Sequence, residues 1–69
     1  RMSVMQALSQ AGGLTPYADE GSIKILRHVD GKETAIAFDY GDVASGHKLE
    51  EDIALNPGDV IVVPTAGLF

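Results

Sequence analysis

The pair Asp30-Gly31 lies between two runs that each read as a β-strand, Ser22 to Val29 and Lys32 to Phe38. Asp-Gly is a preferred filling for a two-residue type I′ turn, whose twist matches that of the strands it joins. Such a turn also sets the register. Ile23 then opposes Phe38, Ile25 opposes Ile36, and Arg27 opposes Thr34. On the other face Lys24 meets Ala37, Leu26 meets Ala35, and His28 meets Glu33. Nearly all the large β-branched and aromatic residues fall on one face, so the turn chemistry and the side-chain pattern select the same pairing.

A helix is expected before the hairpin. Ser3 can be its N-cap and Gln6, three residues on, completes a capping box. Val4, Ala7, Leu8 and Ala11 form one apolar stripe at helical spacing. Gly12 and Gly13 end it, because glycine takes the left-handed cap conformation without strain at Cβ. Leu14 follows where a Schellman motif places its hydrophobic contact, and Tyr17 to Gly21 reads as a polar loop.

After the hairpin, Asp39 can cap a short helical turn, Tyr40 to Ser45, closed by Gly46. His47 to Asp52 reads as charged and exposed, and Ile53 to Leu55 as a short strand. Asn56-Pro57-Gly58-Asp59 fits a type II turn, with Pro57 and Gly58 at its two central positions. Val60 to Val63 is β-branched without alternation, which predicts a strand covered on both faces or placed at the sheet centre. The expected class is α+β.

At 69 residues the chain holds one domain at most. A domain this small buries only ~60% of the surface its unfolded chain exposes, so help from a partner is expected. There is no cysteine, which excludes disulfides and thiolate metal sites. The net charge of −5, ten Asp and Glu against five Lys and Arg, argues against binding nucleic acid and against docking on an anionic membrane. No apolar run approaches the ~20 residues of a membrane-spanning helix.

Four stretches in order resemble the soluble-ligand-binding β-grasp family, and in particular its members in bacterial polysaccharide-export proteins. They are Val4-Met5-Gln6-Ala7-Leu8 through Ala11-Gly12-Gly13-Leu14, then Ile23-Lys24-Ile25-Leu26-Arg27, then Phe38-Asp39-Tyr40-Gly41-Asp42-Val43 with Ser45-Gly46, then Ile53 to Pro64. The resemblance implies a β-grasp-like domain with one main helix packed on a small mixed sheet. Domains of that family begin with a strand pair upstream of the helix. No such pair is visible here, so the chain is expected to be a fragment of a larger protein or to take those strands from elsewhere. The resemblance further implies a non-catalytic module on the periplasmic side of the outer membrane of a Gram-negative bacterium, assembling with copies of itself into an export ring and touching polysaccharide. Two alternatives stay open. The same family serves as a small-ligand-binding module in redox and cobalamin-handling proteins, and Pro57-Gly58-Asp59-Val60-Ile61 also resembles a strand start in PDZ peptide-binding domains.

No nucleophile–base pair is apparent, since His28 and His47 are far apart and neither sits in a motif. No catalytic residue, cofactor site or metal site is therefore expected. His28 against Glu33 reads as an exposed ion pair, and His47 as solvated. Glu50-Glu51-Asp52 lacks the alternate spacing and glycine of a calcium loop, and reads as a charged edge. Gly12-Gly13 follows a helix, whereas phosphate-cradling glycines precede one. The candidate contacts for a ligand or partner are Tyr17, Lys24 and Arg27, because an aromatic ring beside a planar cation suits a sugar or a protein surface. Their simpler reading is a loop anchor and two rim cations.

Overall fold

The computed structural model describes residues 1–66. Its elements are α1 (Val4–Gln10), β1 (Ile23–Val29), β2 (Lys32–Phe38), α2 (Tyr40–Ala44), a 3-10 turn (Leu49–Glu51) and β3 (Val60–Val62). The class is α+β, and the described residues form one three-stranded sheet in the order β2-β1-β3. Both pairings are antiparallel, so among the described residues the sheet is antiparallel throughout rather than mixed. A mixed sheet needs a parallel neighbour, and the strands present supply none.

The hairpin has the register that its turn dictates, from Ile23 opposite Phe38 to Val29 opposite Lys32. Asp30 and Gly31 take φ of 51° and 78°, the left-handed values a type I′ turn requires at both positions. At the other end of the chain the same economy governs α1. The Ser3 side chain accepts from the Gln6 amide while the Gln6 side chain accepts from the Ser3 amide, which closes the capping box. Past the helix, the Gly13 amide donates to the Leu8 carbonyl at 2.8 Å and the Gly12 amide to the Ser9 carbonyl at 3.1 Å. These two bonds make a Schellman motif. Gly46 ends α2 in the same way, through bonds from Gly46 to Val43 and from His47 to Asp42.

The core is small. Val4 and Leu8 of α1, Ile23 and Ile25 of β1, Phe38 of β2 and Val43 of α2 are buried, with Leu14, Ile36, Ile53 and Ile61 packed around them. Burying a side chain such as Phe38 or Ile25 contributes ~1.5–3 kcal/mol each. All the strand residues among these lie on one sheet face, so the helices cover that face alone.

The closing segment differs from expectation in two ways. Ile53–Leu55 is not a strand: Ala54 makes only an isolated bridge to Ser3. It serves instead as a brace for the start of α1, where the Val4 amide donates to the Ile53 carbonyl and the Leu55 amide to the Met2 carbonyl. The second difference is the position of Val60–Val62, which forms an edge strand beside β1 and leaves Val60 53% and Val62 40% exposed. The central position goes to β1, because the hairpin leaves only one of its edges free and β3 takes it. The Asn56–Asp59 turn forms as expected, with Gly58 at φ 89° and the Asp59 amide donating to the Asn56 carbonyl at 3.0 Å.

Candidate interaction surface

Arg27 lies on the core face at the hairpin end of the sheet, where its charge needs a partner. It finds one in Asp59, at the start of β3. Nε of Arg27 donates to both carboxylate oxygens at 3.2 Å, and Nη2 donates to Oδ2 at 2.7 Å. Nη2 also donates to the Ala54 carbonyl at 3.1 Å. Asp59 accepts further from the Asn56 amide at 2.8 Å. The Asp59 side chain is 3% exposed and that of Arg27 is 19% exposed. Hydrogen bonding to Arg27 and then to the Asn56 amide holds the Asp59 carboxyl below its ordinary range. The same hydrogen bond to Asp59 raises the Arg27 guanidinium. The planar fork that would suit a ligand is thus committed to tying the 54–59 loop to β1.

Tyr17 stands elsewhere. The residue is 68% exposed, and its carbonyl accepts from the Ala66 amide at 2.7 Å. Beside it, Ala18 bridges Thr65 and the Asp19 amide donates to the Pro64 carbonyl. Tyr17 therefore sits at the far end of the β3 segment from Arg27, six residues of mostly extended chain away, on the order of 20 Å. Lys24 projects from the opposite sheet face, between Ala37 of β2 and Val62 of β3. The three candidate contacts do not converge on one place.

The structure gathers a different set. On the sheet face away from the core, Val60, Leu26 and Ala35 form one cross-strand row, and Val62, Lys24 and Ala37 form the next. Val60, Val62, Ala35 and Ala37 are exposed and Leu26 is half-buried. His28 and Glu33 lie beyond them, 3.7 Å apart and exposed, as the register implies. This face is apolar with one central cation. A separate open groove of about 460 Å³ runs between α1 and the β3 segment, lined by Leu8, Ala11, Leu14, Ile61, Val63 and Pro64 among others.

Several structural roles escaped the sequence. The run Glu50-Glu51-Asp52 is not simply a solvated edge. Glu51 Oε1 accepts from the Asp39 amide at 3.1 Å, and Asp52 Oδ1 accepts from the Met5 amide at 2.9 Å, satisfying a free donor in the first turn of α1. Only Glu50 of the three is exposed. Among the described residues no group of three or more His, Cys, Asp or Glu side chains is placed to hold a metal ion. His47 is exposed, with Nδ1 3.1 Å from the Ser45 hydroxyl. The Arg27–Asp59 pair could have been suspected, since a cation on a core face demands an anion. Nothing local singled out Asp59 rather than another acid.

Comparison with protein-family models, with curated proteins and with solved structures finds no match to this chain.

Proposed function

We propose that this chain is a non-catalytic assembly module of a bacterial polysaccharide-export protein, acting on the periplasmic side of the outer membrane and contributing to the packing of an export ring. The observation that carries the reading is the sheet with one covered face. The helices bury Ile23, Ile25 and Phe38, while Val60, Val62 and their row neighbours stay open on the other side. An exposed apolar face of this kind marks a surface for protein contact. The four stretches that resemble the export family supply the biological setting. With Arg27 occupied by Asp59, the residue this reading offers to carbohydrate is Tyr17.

The test is made in the bacterium that encodes the chain. Cells in which Val60 and Val62 are both changed to Asp should keep the protein at normal level in the periplasmic or outer-membrane fraction yet lose exported polysaccharide. Unchanged export, or wild-type protein confined to the cytosol, would reject the reading.

A second reading, a small-ligand module, is favoured by the groove between α1 and β3. Its walls combine apolar side chains such as Leu8, Leu14, Ile61 and Val63 with the polar Thr15 and Thr65, a mixture that suits a small molecule.

A further inference from the structure

The two edges of the sheet are not equivalent. In a two-residue hairpin the residues flanking the turn exchange both backbone hydrogen bonds, and the pairs alternate from there. Val29 and Lys32 flank the turn, so Lys32, Thr34, Ile36 and Phe38 face β1 with their backbone groups. The N–H and C=O groups of Glu33, Ala35 and Ala37 face outward. Among the described residues no backbone hydrogen bond outside the hairpin ladder involves these three. The opposite edge, β3, is only Val60–Val62, with Val60 and Val62 paired to β1 and Pro64 two residues on. The long free edge is β2, and its outward positions carry no proline and mostly methyl side chains. Such an edge is a template for another strand.

We propose that β2 pairs antiparallel with β2 of a second copy of this chain, about a two-fold axis through Ala35. The proposal rests on the sheet alone and does not depend on the export reading. Outward-facing residues must oppose outward-facing residues, which restricts the registers. With Ala35 opposite Ala35 of the partner, Glu33 meets Ala37 of the partner, and three residue pairs exchange hydrogen bonds. The outer face then carries a central row Val60, Leu26, Ala35, followed by the same three residues in reverse from the second copy. It is apolar from end to end.

The flanking rows decide the register. Each reads Val62, Lys24, Ala37, then Glu33 and His28 of the second copy. Lys24 has no ion-pair partner among the described residues, where the cations in ion pairs are Arg27, His28 and Lys48. It would lie two strand spacings, roughly 10 Å, from the facing Glu33 across a single alanine, a span its side chain and the glutamate can close together. Glu33 is exposed, and among the described residues its carboxylate is held only by the 3.7 Å contact to His28. Moving the axis to Thr34 puts Glu33 opposite Ala35 and leaves Lys24 facing the turn. Moving it to Ile36 sends Glu33 past the strand end. Only the Ala35 register joins these charges, and it does so twice.

Sedimentation of the 69-residue chain, at concentrations up to the order of 1 mM for so small an interface, tests this. A monomer–dimer equilibrium is expected. Lys24→Glu and Glu33→Lys should each weaken it about tenfold, and the double variant should restore it, because the pair is then reversed in both rows. Ala35→Pro removes an outward N–H, a change an edge strand accepts, and should leave a folded monomer by circular dichroism. Isotope-filtered NMR on mixed labelled copies should show contacts from Ala35 to Ala35. A monomer throughout the range overturns the proposal. So does a dimer that tolerates Ala35→Pro or whose charge variants show no restoration.

Discussion

Replacing Gly31 by valine isolates one physical cause. Gly31 has φ 78°, and a Cβ built on it would meet no other atom within 4 Å. Crowding is therefore absent, and the cost is the left-handed backbone itself. That cost is ~1–2 kcal/mol for an L-residue, with a β-branched side chain at the upper end. A chain of this length is expected to have a total stability of roughly 3–10 kcal/mol. The change should thus lower the melting temperature by roughly 5–15 °C. Thermal and urea unfolding followed by circular dichroism would measure it. Gly31→Asn is the control, since asparagine tolerates the left-handed region and should lie much closer to wild type. If Gly31→Val and Gly31→Asn melt together with the parent, the turn is not type I′ and the register drawn from it loses its basis.

Ser3→Ala removes the acceptor for the Gln6 amide and half of the capping box, and should cost ~1 kcal/mol in urea unfolding. No change in midpoint would mean that the bonds from the Val4 and Met5 amides to Ile53 and Asp52 hold the start of α1 without the cap. The Asp59 carboxyl is depressed from its ordinary 3.8 by Arg27 and the Asn56 amide, so its contribution is present above that value and lost as pH falls through the folded-state value. Asp59→Asn should therefore lower stability at pH 7 and flatten the acid limb of the stability curve below about pH 4. Equal stability of variant and parent at pH 7 would show that the ion pair contributes nothing net.

The parts of the fold legible in the sequence are those fixed by short-range chemistry. Asp30-Gly31 sets a turn and, through it, seven cross-strand pairs. Ser3 with Gln6, and Gly12 with Gly13, set both ends of α1 within a span in which only local backbone bonds matter. Legibility fails where a residue's partner is remote. Asp52 lies 47 residues from the Met5 amide that it caps, and Asp59 lies 32 residues from Arg27. An acid in a charged loop looks the same whether it is solvated or bonded to a distant amide, so Glu51 and Asp52 read as a charged edge. Ile53–Leu55 differs for a related reason: a short apolar run suits a strand, but its backbone groups go to the start of α1. Tyr17, Lys24 and Arg27 stand out in the sequence by side-chain type alone. The register placed Lys24 and Arg27 on opposite faces, but the separation of Tyr17 from Arg27 required the 17–19 segment to be seen against 64–66.

Val60 to Val63 shows what a hydrophobic run can and cannot say. Within the chain, Ile61 alone of β3 turns toward the core, where it joins Ile25 and Ile36 in one row. Val60 and Val62 gain strand propensity from their branched Cβ, but threonine has the same branching at nearly the same volume and would keep an exposed face polar. The stability of the isolated fold thus gives little reason for valine over threonine at these two positions. Valine matters where water is excluded, at ~25 cal/mol per Å² of apolar surface removed from it. The expectation of two-sided burial fails for the chain by itself, since β3 is an edge strand. The same pattern is what an outer face would carry if its cover came from a second protein surface laid across Val60, Leu26 and Ala35. Dimerisation through β2 would extend that apolar row without covering it. A two-fold sheet and a face-packing partner are therefore compatible, and the first would double the area offered to the second.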